Sequence, residues 1–198
     1  MKRLLCIAML ALTACASGTE DPIARPSASG PPTIDYQLVR QHALQFDVDV
    51  PSRPPGSQHE LAAATYIVGH LQLAGYSPTL SAVPVADQVQ STNVVALPPI
   101  GEDPEVVVTV GYAHDGEGSG TGLQIGLFLE LARALNVAAP EHAVGFVATG
   151  AGDLGEATLR GFLDERGLDP ELIGIPALGG DMADVGDQLF RSLVGEPD

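Results

Sequence analysis

The residues best equipped for chemistry crowd into one short stretch, GYAHDGEGSGTG (residues 111–122), where His114, Asp115 and Glu117 stand among glycines. It lies between an apolar run, EVVVTV, and a helix-patterned run, LQIGLFLELARAL. An imidazole and carboxylates at the end of a strand can hold a divalent metal if acids from other elements join them. A phosphate cradle is the rival reading, because a glycine loop before a helix exposes backbone N–H groups. Its glycines, Gly118, Gly120 and Gly122, run as G-x-G-x-G, which matches neither the dinucleotide nor the P-loop pattern. Asp115 and Glu117 would also repel phosphate. A nucleophile elbow fails on spacing, because Ser119 has Glu117 and Thr121 where G-x-S-x-G needs glycine. The metal reading therefore stands beside the plain one, polar residues of an ordinary loop.

Further acids follow two more strand-like runs: Asp153 after HAVGFVATG, and Asp181 and Asp184 near ELIGIPALGGDM, which Pro176 interrupts. The elements that must carry them read as an alternation. A helix over about 34–46 buries Leu38, Val39, Ala43 and Phe46. Ser57 and Glu60 form a capping box opening a second helix to Ala74, with Leu61, Ala64, Val68 and Leu71 on its inner face and Gly75 ending it. The runs TLSAVPV, TNVVAL and EVVVTVGY are strands, the last apolar enough to be covered on both faces. Helices over about 123–135 and along EATLRGFLDERG complete the series. Strands alternating with helices predict an α/β fold, a mostly parallel or mixed sheet with helices on both faces. In such sheets ligands gather beyond the carboxyl ends of the strands, where these polar residues fall.

The chain begins MKRLLCIAMLALTAC: two basic residues, an apolar core and small residues, the pattern of a secretory signal. Leu12, Thr13, Ala14 and Cys15 resemble a bacterial lipobox, which makes 1–14 a lipoprotein signal peptide and Cys15 the lipid attachment point. Residues 15–32, rich in Ser, Gly and Pro, read as a flexible tether, and 33–198 as a single domain. Cys6 leaves with the signal, so no cysteine remains for a disulfide or thiolate chemistry. The formal charge is -16. Loss of Lys2 and Arg3 leaves 25 acids against 7 arginines, or -18, and no lysine. That charge disfavours nucleic acid as a partner and leaves the N-terminal lipid as the only membrane contact. The expected location is the bacterial cell envelope, on the outer membrane or cell surface, facing the periplasm or the exterior.

The order RPPGSQHELAAATYIVGHLQLAGY, TNVVALPP, VVVTVGYAHD, GLFLELARAL and VGFVATGAGDLG resembles the di-zinc aminopeptidase family of metallopeptidase clan MH. That family includes bacterial leucyl aminopeptidases, glutaminyl cyclases, glutamate carboxypeptidase and the protease-like domain of the transferrin receptor. The resemblance covers about Arg53 to Asp181 and implies a shortened version of the family fold.

It also implies a set of zinc positions. In the family a strand ends in G-A-H-x-D, and here Ala113 and His114 match while Gly116 replaces the acid and Asp115 is out of register. The bridging aspartate position falls on Gly122. The Glu-Glu pair of general base and ligand falls on Gly152 and Asp153. A further aspartate in a D-M context corresponds to Asp181, and the family's last zinc-binding histidine has no counterpart after His142. His114, Asp153 and Asp181 are thus the metal candidates, Asp115 and Glu117 the possible substitutes, and the general-base position, Gly152, cannot move a proton. His42, His59, His70 and His142 match no ligand and read as structural or exposed. The expectation is an incomplete zinc site in a catalytically degenerate lipoprotein that binds a peptide or protein. An active zinc exopeptidase with displaced ligands and a truncated gene product are the alternatives.

Overall fold

The computed structural model describes residues 32–86, 88–98, 102–113, 121–138, 140, 142–177 and 181–195. The signal sequence, Cys15 and nearly all of the tether lie outside them, as do His114, Asp115 and Glu117.

In chain order the elements are α1 (Tyr36–Asp49), α2 (Gln58–Leu73), β1 (Thr79–Ala86), β2 (Val89–Ala96), β3 (Val106–Gly111), α3 (Thr121–Ala138), β4 (Val144–Thr149), α4 (Asp153–Asp164), β5 (Glu171–Gly174) and α5 (Met182–Val194). The strands form one mixed sheet in the order β1-β2-β4-β3-β5. β3 runs parallel to both β4 and β5, and β2 runs antiparallel to β1 and β4. The fold is the expected α/β arrangement with helices on both faces.

The period-two alternation of the strands divides the core in two. Val94, Ala96, Val106, Val108, Val110, Phe146 and Ala148 face a large cluster that includes Phe46, Ile67, Leu71, Phe128 and Leu135 of α1, α2 and α3, together with Met182 and Leu193 of α5. Val95, Val107 and Val147 face Leu159 and Leu163 of α4. α3 is buried almost all round, which explains its nearly unbroken apolar run. Its one buried acid, Glu130, is chelated by Arg133, whose Nε donates to both carboxylate oxygens at 2.8 and 3.0 Å.

Three details differ from expectation. The inner face of α2 is Ala63, Ala64, Ile67 and Leu71, whereas Leu61 is 55% exposed. The capping box is only half formed: the Glu60 N–H donates to Ser57 Oγ at 3.0 Å, but the Glu60 carboxylate turns inward to the Gly56 N–H and to Ser91 Oγ on β2. That diversion makes Glu60 a buried tie between helix and sheet instead of a local cap. α5 was not expected, although Met182, Val185, Gly186, Leu189, Phe190 and Leu193 repeat at helical spacing and face the core. Among the described residues no helix is long and apolar enough to cross a membrane.

Candidate functional site

The parallel register aligns Gly111 with Thr149, and Thr109 with Gly174, so β3, β4 and β5 end at the same edge of the sheet. β2 starts at that edge because it runs the other way. The edge is built from the inside by polar residues that the core holds fast.

Arg53 is fully buried. Its guanidinium donates to the carbonyl of Val50, to that of Tyr112 at 2.7 Å, and to Thr121 Oγ1, while lying 4.5 Å from the Phe46 ring centroid. One side chain thereby ties the residue after β3 to the first residue of α3. Burial lowers its pKa and the nearby Asp47 opposes that shift; arginine stays charged under either influence. Tyr112 is buried as well, and its hydroxyl donates to the Thr92 carbonyl at 2.7 Å. Its phenol is pushed upward, first by burial and then by Glu60, so it remains a neutral donor.

At the end of β4, Asn93 holds the turn into α4. Its Oδ1 accepts from the Gly150 N–H at 2.9 Å and its Nδ2 donates to the Gly155 carbonyl at 2.8 Å. Gly150 is packed so closely that a Cβ there would lie 2.5 Å from the Thr92 carbonyl oxygen and 2.6 Å from Glu60 Oε1. Ala151 and Gly152 follow with φ of 55° each, and Gly152 has ψ of -125°. Successive positive φ values, one on a residue with a Cβ, concentrate backbone strain at this strand end. Asp153 then opens α4 and is exposed.

The two glycines at which the resemblance expects acids, Gly122 and Gly152, are accommodated differently. At Gly122, in the first turn of α3, a Cβ would lie 2.6 Å from Asp47 Cγ and 2.7 Å from the Ala43 carbonyl oxygen. One turn on, a Cβ at Gly126 would collide with the Val39 carbonyl group. α1 therefore lies directly on the α3 backbone, and the two glycines permit that approach. At Gly152 no atom lies within 4 Å of the Cβ position, yet the backbone adopts a conformation that L side chains rarely take. Position 122 lacks space for a side chain, and position 152 lacks a backbone suited to one.

Of the sequence candidates, Asp153 and Asp181 are exposed at the ends of elements that converge on this edge. Asp181 precedes α5 and makes no side-chain cap bond, and Asp184 lies in that helix's first turn. His114, Asp115 and Glu117 fall outside the described residues. Among the described residues no group of three His, Cys, Asp or Glu could hold a metal ion. Catalytic zinc typically takes three protein ligands, and the candidate donors among the described residues, Asp153 and Asp181, are fewer than that. The other histidines serve elsewhere. His42 Nδ1 lies 2.8 Å from Tyr66 Oη, and the His42 and His70 rings stand edge to face at 4.5 Å. His59 reaches the Ser52 carbonyl and His142 pairs with Glu105.

Asp47, Arg53 and Asn93 contribute to this edge without being among the sequence candidates, and Glu60 reads in the sequence as a helix cap. The only local sign was the RPPGS segment that carries Arg53; nothing near Asp47 or Asn93 points to their distant partners.

No protein-family model matches the chain, and no curated protein sequence does. Solved structures do resemble it. A leucine aminopeptidase precursor from Bacteroides thetaiotaomicron superimposes with a TM-score of 0.55 at 17% identity, covering 63% of this chain and 49% of that one. A glutaminyl cyclase from an Acidobacteriales bacterium gives 0.58 at 18% identity, covering 73% and 58%. A Bacteroides vulgatus protein assigned as a Zn-dependent exopeptidase gives 0.53 at 18% identity, covering 65% and 54%. The fold is thus that of bacterial aminopeptidases, glutaminyl cyclases and zinc exopeptidases. The chain spans about half the length of these structures.

Proposed function

We propose that the protein is an exported lipoprotein, anchored through Cys15 in a bacterial cell envelope, whose aminopeptidase-like domain no longer hydrolyses and instead binds a peptide or protein ligand. The observation that carries this reading is the pair Gly122 and Gly152. Each stands where the family resemblance expects an acid, and each is built into its surroundings: one by the closeness of α1, the other by its backbone conformation. Simple loss of two side chains would leave vacant, usable positions, whereas here packing at one and backbone at the other oppose the return of a side chain. The lipid anchor rests on the sequence LTAC.

The test uses purified, zinc-loaded protein and aminoacyl-nitroanilide substrates. The reading expects no turnover above a metal-free control, and turnover that a chelator abolishes would overturn it. Lipidation at Cys15 is checked by mass spectrometry of membrane-extracted protein, with Cys15→Ala expected to release it from the membrane.

A second reading, an active zinc exopeptidase, draws on the fold shared with a protein assigned as a Zn-dependent exopeptidase and on the surviving His114, Asp153 and Asp181. It expects near-stoichiometric zinc that falls in His114→Ala, and absence of bound zinc would end it.

A further inference from the structure

A groove of about 630 Å³ opens at the end of the sheet opposite the candidate site, where β4 begins and α3 and α4 end. This volume lies within the ~300–1,000 Å³ usual for small-ligand sites. Tyr76, Leu97, Leu135, Val144 and Phe162 give it an apolar lining. The Tyr76 ring packs edge to face on Phe146 at 5.2 Å, and its hydroxyl makes no hydrogen bond among the described residues. Burial pushes that phenol up to about 12, so it is a protonated donor held at the wall of the groove.

The groove is continuous with a second hollow lined by Glu102, Asp103, Glu105 and His142; Glu102 and His142 line both. Glu105 is engaged by His142 Nδ1 at 2.8 Å. The cation at the groove, Arg166, is drawn back onto its own helix: its guanidinium lies 3.6 Å from the Phe162 ring centroid and donates to the Phe162 carbonyl at 3.2 Å. The mouth thus carries Glu102 and, in the adjoining hollow, Asp103 and Glu105, within a strongly acidic chain. An apolar slot with an acidic mouth is complementary to an apolar side chain that has a cation beside it.

We infer that this groove binds a peptide segment in which an aromatic or large aliphatic side chain is flanked by lysine or arginine. The apolar side chain enters between Tyr76 and Phe162, the cation meets the Glu102 side of the mouth, and the Tyr76 hydroxyl donates to a peptide carbonyl. The inference rests on the peptide-binding reading and adds to it a place, away from the degenerate strand ends, and a ligand chemistry.

Calorimetric titration of the full-length protein with acetyl-Lys-Phe-Lys-amide and acetyl-Glu-Phe-Glu-amide tests it. The basic peptide is expected to bind at least about tenfold more tightly. The triple variant Glu102→Gln, Asp103→Asn, Glu105→Gln is expected to weaken the basic peptide by about tenfold, and Arg166→Gln to strengthen it. These surface changes leave the core intact, and Phe162→Ala, checked for folding by circular dichroism, should abolish binding. Equal binding of both peptides, preference for the acidic one, no binding of either, or indifference to the variants would each overturn the inference. Amide shifts at residues 150–153 in place of residues near 76 and 162 would overturn the groove while leaving peptide binding standing. Zinc-dependent turnover would overturn the binding reading without bearing on the groove.

Discussion

Asp47 of α1 occupies the space that a side chain at Gly122 of α3 would need: a Cβ at 122 would lie 2.6 Å from Asp47 Cγ. Gly122 is the position at which the family resemblance expects a bridging carboxylate. The helix packing that stabilises the domain and the absence of a side chain at 122 are therefore one structural fact.

Gly122→Ala is expected to destabilise the protein by about 1–3 kcal/mol through overpacking, measured by urea unfolding. Asp47→Ala in the same chain should recover only part of the loss, because the Ala43 carbonyl oxygen remains 2.7 Å from the added carbon. Full recovery would show that α1 is free to move away.

Gly152 makes a different prediction. Its surroundings are open, so Gly152→Ala meets no clash, and the cost is backbone strain alone, roughly 1–3 kcal/mol. Gly152→Val should cost at least as much as Gly152→Ala, because a β-branched residue at positive φ is a genuine outlier. Equal unfolding midpoints for wild type and both variants would refute the strain argument.

Arg53 is buried with its donors on Val50, Tyr112 and Thr121. Arg53→Met removes the charge and leaves buried acceptors unsatisfied, and each unsatisfied group costs about 1–3 kcal/mol. Arg53→Lys should rescue only a fraction, since one ammonium on a flexible stem cannot reproduce the planar fork. Denaturant midpoints in the order wild type, lysine, methionine are the expected result; lysine equal to wild type would refute it.

His42 and His70 stand together between α1 and α2, with Tyr66 against both rings and the charges of Glu130 and Asp49 nearby. Burial lowers both pKa values from 6.5, and for His42 the neighbouring His70 lowers it further while Glu130 opposes. The folded state thus resists protonation more than the unfolded chain does. Stability from this pair is present above the ordinary histidine pKa and is lost as pH falls below it. Unfolding midpoints at pH ~7.5 and ~5.5 should differ less in His42→Gln/His70→Gln than in wild type. An unchanged difference would remove the histidines from the account.

Much of the fold was readable because its signals are local. The valine runs of β2, β3 and β4, the apolar length of α3 and the glycines at 75 and 167 reflect a residue and its near neighbours, where period and turn chemistry act. The same holds for α5, whose helical spacing was present but passed over. The face of α2 was misjudged because periodicity leaves more than one apolar stripe available, and the sheet selected the one containing Ala63 and Ile67 over the one containing Leu61.

By itself the sequence determined the order of strands and helices, the acidic character and the absence of an acid at 122 and 152, since these depend only on residue identity and short-range pattern. Only the tertiary structure decided why position 122 is closed and how the turn that carries position 152 is held. Asp47 meets Gly122, Asn93 meets Gly150 and Gly155, and Arg53 meets Tyr112 and Thr121 through close approaches between segments far apart in the chain. Such contacts follow from how helices and strands pack in three dimensions, and periodicity along the chain carries no record of them.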